Sequence, residues 1–134
     1  SRAVWGCGPI SKEGEGQNMN GKISENFSRA EFRCNCGKCS CDTVDAELLK
    51  ALEALRSHFK APITVNSGHR CKDHNRSVGG ASNSMHLVGR AADIRIAGVS
   101  PSDVYSYLDK FWSGGLGSYS NFTHLDTRNY KARW

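Results

Sequence analysis

Apolar residues along the chain fall into a few short periodic stretches separated by polar ones. Leu48, Leu52, Leu55 and Phe59 recur at +4, +3 and +4, which lines one face of a helix over Asp45 to Lys60. Pro62 stops it, and "ITV" (Ile63 to Val65) is a short β-branched strand. Asn66 to Ser84 is polar throughout and reads as one long loop, a length that usually carries function. In "AADIRI", Ala92, Ile94 and Ile96 alternate with Asp93 and Arg95, the period of a strand. "SPSDVYSYLDKFW" predicts a second helix, with Ser100 as cap, Pro101 at the first position and Asp103 completing the box. Its inward residues are Val104, Leu108 and Phe111, and Gly114 and Gly115 end it. "GLGSY" and "FTHLDT" then predict two strands joined by a turn at Ser120-Asn121. Nearer the start, Ser28 and Glu31 fit a capping box and a short helical turn. This order favours an α+β fold with a small antiparallel sheet and helices packed on it.

Residues 1–26 are rich in Gly, Asn, Lys and Glu, and we read them as an extended arm or linker remnant. Trp5, Cys7 and Ile23 are its candidate anchors, and 27–134 is the expected folded domain. Hydrophobic content of 38% is ordinary for a globular chain, and no apolar run approaches the ~20 residues that span a bilayer. The net charge of +5 suits anionic partners. The basic residues are scattered and not interleaved with aromatics, so nucleic acid is not the expected partner.

The chemistry-bearing residues change the picture more. His86 and Asp93 flank Gly89, and His124 lies in the last expected strand. Two neutral imidazoles and one carboxylate make a catalytic zinc set with the fourth position left for water. The alternative is plain: any one of five histidines is more often a core or surface residue than a ligand. A loop histidine with a strand aspartate suits the seven-residue gap better than one helix face does. The decapeptide "FRCNCGKCSC" holds Cys34, Cys36, Cys39 and Cys41, and Cys71 and Cys7 bring the total to six. Four thiolates on a second zinc and disulfides involving Cys71 or Cys7 are both open readings.

"SGHR", "VGGASNS", "SMHLVGRAAD" and "FTHLD" follow one another between Ile63 and Asp126. Together they resemble the zinc D-Ala-D-Ala carboxypeptidases and peptidoglycan endopeptidases of the M15 peptidase group, and the hedgehog signalling domain that shares their zinc set. "FSRAEFRC" and "DTRNYKARW" resemble the branch found in phage and bacterial wall lysins. The resemblance implies a hedgehog/DD-peptidase-like fold and Zn²⁺ bound by His86, Asp93 and His124. It implies that Arg70 holds a substrate carboxylate or carbonyl. Ser84 either orients substrate or closes the loop turn.

It further implies hydrolysis of peptidoglycan stem peptides by an extracytoplasmic enzyme, secreted, wall-bound or a phage lysin; we expect the chain to be a monomer. Outside the cell, disulfides are the favoured reading of the cysteines. The alternative function is a zinc-containing wall-binding module without turnover. One departure supports that alternative. The acidic general base expected three positions before the last ligand is Asn121, and the histidine expected two before it is Phe122. Asp126, two residues after His124 and so on the same strand face, is the substitute base. It could instead orient His124 or pair with Arg128.

Overall fold

The computed structural model describes residues 21–134. Trp5, Cys7 and most of the expected arm lie outside the described residues; Ile23 lies within them and packs against the core. Five strands form one sheet: β1 (Ile63–Ser67), β2 (Ala91–Ile96), β3 (Gly115–Ser118), β4 (Thr123–Asp126) and β5 (Ala132–Arg133). Their order is β1-β2-β4-β3-β5. The first four pair antiparallel, as expected; β5 adds parallel to β3 and makes the sheet mixed. Strand β5 is only two residues long, too short for sequence periodicity to reveal it.

Helix α1 (Ala46–Phe59) has the expected buried stripe of Leu48, Leu52 and Leu55. Asp45 caps it, its side chain accepting from the N–H groups of Glu47 and Leu48. Lys60, in the left-handed region at φ 54°, ends it. The expected loop Asn66–Ser84 is not all loop. Strand β1 runs on to Ser67, and a short helix α2 (Lys72–Ser77) follows. "KDHNRS" is polar on every side, so no amphipathic pattern announces it. Helix α3 (Pro101–Asp109) starts on the Ser100 cap as expected, but ends before Lys110, well short of Gly114. Phe111 therefore points outward, 54% exposed, and Trp112 packs against the core in its place.

Cross-strand register separates two faces of the sheet. Ile63 pairs with Ile96, Val65 with Ile94, Ala92 with Leu125, and Leu125 with Leu116. These residues join Leu48, Leu52, Leu55, Val104 and Leu108 in one cluster, so the helices cover this face. The positions between them, Asp93, His124 and Asp126, belong to the opposite face. An irregularity between Val65 and Ser67 sets Ser67 opposite Asp93, a local re-aiming typical of strands beside sites.

Candidate metal centre and cleft

The sheet face away from the helices floors a cleft of about 830 Å³. The Gly-rich loop Val78–Ser84 forms one wall, and the tail residues Arg128, Tyr130 and Trp134 the other. His86, Asp93 and His124 meet at the floor, their ligand atoms all within 4.8 Å of one another. Each arrives from a different local structure. Asp93 and His124 are direct cross-strand partners on β2 and β4. His86 sits in a single 3-10 turn, Met85–Val88, which is capped by Ser84: its Oγ accepts from the His86 N–H at 3.1 Å. Gly89 ends that turn at φ 73°, where a side chain is strained and a Cβ would press on the Thr43 carbonyl.

Proton positions at the floor follow from the outer partners. The Gly68 carbonyl can only accept, so His86 Nδ1 carries a proton and donates to it at 2.7 Å. In a neutral ring Nε2 then carries the lone pair, and it faces Asp93 Oδ1 at 3.2 Å. His124 likewise donates from Nε2 to Asp126 Oδ2 at 2.8 Å, which turns Nδ1 toward the same Asp93 oxygen at 2.8 Å. Two lone-pair nitrogens and a carboxylate oxygen thus point at one another. Acceptors facing acceptors need a cation between them, and nitrogen and oxygen donors with rings held from behind are a metal-ligand arrangement. The donor set fits a divalent metal such as zinc.

The charges around the floor are mutually compensating. Asp126 is fully buried, and burial, which would raise its carboxyl, is outweighed by hydrogen bonds from His124 and Arg128 that hold it below the usual carboxylate range. Arg128 grips it with Nε on Oδ1 and Nη2 on Oδ2, both at 2.8 Å. Gly115 N–H adds a third donor at 3.0 Å, and a Cβ on Gly115 would overlap that carboxylate. Arg70 reaches Asp93 Oδ2 at 3.2 Å, and is itself fixed by Ser67 Oγ at 3.0 Å and Asn75 Oδ1 at 3.1 Å.

Arg70, Ser84, His86, Asp93 and His124 all line the cleft, and Asp126 lies directly behind His124. Asn121 is turned to the other side of the sheet, where it borders a separate depression with Pro62 and Thr64. Phe122 lines the cleft and stacks on Tyr119, with ring centroids 4.5 Å apart. His69 and His74, near Arg70 in sequence, are not among the residues that line it. The Thr43 N–H donates to His69 Nδ1 at 3.0 Å, so Nε2 donates to the Leu87 carbonyl at 3.2 Å; this histidine braces the turn that carries His86. His58 is exposed on α1 and stacks on Tyr107. Sequence reasoning missed Asn75, buried beneath Arg70, and the aromatic rim of Tyr119, Tyr130 and Trp134. The rim was signalled only by aromatics in an otherwise polar tail.

The cysteines divide. Cys34, Cys36, Cys39 and Cys71 are free thiols, whereas Cys41 is disulfide-bonded.

A family model described as Peptidase M15 matches residues 25–126. The zinc D-Ala-D-Ala carboxypeptidase of Streptomyces albus G is 45% identical over 78 residues, 52% of this chain and 31% of that protein. The probable peptidoglycan L,D-endopeptidase MepK of Haemophilus influenzae is 43% identical over 74 residues, 50% of this chain and 40% of its own length. The peptidoglycan L,D-endopeptidase MepK of Escherichia coli is 37% identical over 94 residues, 63% of this chain and 52% of its own. The chain thus spans about a third to a half of the length of these curated relatives.

Proposed function

The chain belongs to the peptidase M15 family, and from that premise we propose that it is a zinc peptidase that hydrolyses peptide bonds of peptidoglycan stem peptides. The observation that carries the reading is the convergence of His86 Nε2, Asp93 Oδ1 and His124 Nδ1 at the cleft floor. In this reading these three atoms hold the zinc, which supplies Lewis acidity toward a carbonyl and an acidified water. Relatives named as a zinc D-Ala-D-Ala carboxypeptidase and as peptidoglycan endopeptidases support the choice of metal and substrate. That substrate places the protein outside the cytoplasm. All three donors come from one chain, so the site needs no second copy. The catalytic domain is residues 27–134.

Arg70 sets the carboxylate of Asp93 by its Nη2 contact, and only three of its five N–H groups are needed for Ser67, Asn75 and Asp93. The others serve a substrate carbonyl or carboxylate at the cleft wall. Ser84 holds the backbone of His86 and borders the same wall. Asp126 acts through His124 as a positioning residue: its oxygens are occupied by His124, Arg128 and Gly115, which leaves it poorly placed to take a proton from the cleft.

A second reading rests on a specific observation. Among the described residues that line the cleft, Asp93 is the only carboxylate. A wall-binding module that keeps the metal without turnover would look the same. Purified peptidoglycan incubated with the zinc-loaded chain, and with a chelated control, separates the two. Mass spectrometry should find new stem-peptide ends only with metal present. Pelleting with the wall and no new ends would overturn the peptidase and leave the binder.

A further inference from the structure

Four sulfurs outside the cleft form a second polyhedron. Cys36 Sγ lies 3.4 Å from Cys39 Sγ, Cys34 Sγ 3.7 Å from Cys71 Sγ, and Cys71 Sγ 3.9 Å from Cys36 Sγ. All four lie within 4.8 Å of one another. A disulfide needs about 2.05 Å, and none of these pairs approaches it. A tetrahedron of thiolates around zinc, with bonds of about 2.3 Å, has edges of about 3.8 Å. The three separations cluster around that edge.

The local chain suits such a site. Cys36 and Cys39 are the C-x2-C pair of a knuckle, and Gly37 at φ 73° makes the tight turn between them. Cys34 comes from the chain just before the turn, and Cys71 from across the structure, at the cap of α2. Backbone N–H groups point at the sulfurs: Lys38 to Cys36 at 3.2 Å, Cys71 to Cys34 at 3.4 Å, and His74 to Cys71 at 3.4 Å. Donors of this kind offset thiolate charge. Arg33, Lys38 and Lys72 adjoin the cysteines in sequence. Four sulfurs in tetrahedral array select zinc or iron, and with no open position such a site is structural.

We propose that Cys34, Cys36, Cys39 and Cys71 bind a second Zn²⁺ that is structural and independent of the cleft. It joins the knuckle to the segment that carries Arg70. The adjacent Arg70 reaches Asp93, so the clamp secures the approach to the cleft without touching its floor.

The full chain, purified under reducing conditions without chelator, tests this by elemental analysis. Wild type should carry about two zinc ions and the His86→Ala/His124→Ala double variant about one. In that double variant a mercurial thiol reagent should release the remaining zinc and lower Tm. Cobalt substituted into it should show sulfur-to-cobalt charge transfer in the near ultraviolet, and Cys36→Ser should abolish the band. Should Cys36→Ser not fold, mercurial release from the double variant decides alone. A double variant without metal, iron in place of zinc, or an intact mass showing disulfides among the four cysteines would each overturn the proposal. None of these readouts depends on peptidase activity, so failure here and failure of the cleft reading are distinguishable.

Discussion

Asp126 has no exposed surface and five N–H donors on two oxygens, so its effect must pass through the groups it touches. Asp126→Ala frees the His124 ring and strands the Arg128 guanidinium. Zinc affinity, measured by competition with a chromogenic chelator, should fall about 10- to 100-fold, the usual effect of losing a residue that orients a ligand. Unchanged affinity with lost turnover would return Asp126 to the role of base. Gly89 answers to a different constraint. Gly89→Ala puts a side chain at φ 73° and against Thr43, and should cost about 1–3 kcal/mol in urea unfolding. At this scale the sequence was most legible where chemistry is local. Strand period placed His124 and Asp126 on one face, and the structure joins them by a hydrogen bond. Which partner fills each lone pair was not legible. That depends on Gly68, Gly115 and Asn75, whose relevance arises only from folding.

Among the elements, α1 has the simplest energetics. Its stripe of leucines is fully buried against the sheet. Leu52→Ala should therefore lower unfolding free energy by about 2–5 kcal/mol, read from urea titration, because the cavity cannot collapse between a helix and a sheet. The 3-10 turn carrying His86 is braced instead by His69, whose burial depresses its pKa below the ordinary 6.5. The unfolded chain then binds the proton more readily than the folded one. This contribution is complete above pH 6.5 and is lost as pH falls from there through the lower folded value. His69→Gln should flatten the dependence of Tm on pH below 6.5 relative to wild type; an unaltered slope would dismiss the assignment. The long amphipathic helix and the alternating strands could be read from periodicity because burial on one face imposes it. Helix α2 and strand β5 could not, since both are short and polar and are held by what they cap or pair with.

For the molecule as a whole, the net charge of +5 is the property most open to measurement. If the partner is an anionic wall, co-sedimentation with purified walls should weaken steeply between low salt and ~1 M, where screening shortens to about 3 Å. Salt-insensitive pelleting would assign retention to the cleft. The α+β class was legible from the order of elements, and the three residues that meet at the cleft floor from their spacing. The cleft walls were not, because they are made by segments far apart in sequence, the Gly-rich loop and the tail. The tail has a practical consequence. Trp134 packs its ring 5.2 Å from that of His124 and donates from Nε1 to the Tyr119 hydroxyl at 2.9 Å. Anything attached beyond Trp134, an affinity tag or a fusion partner, would emerge at the mouth of the cleft. A polyhistidine tag there would lie within reach of the floor and compete for its metal.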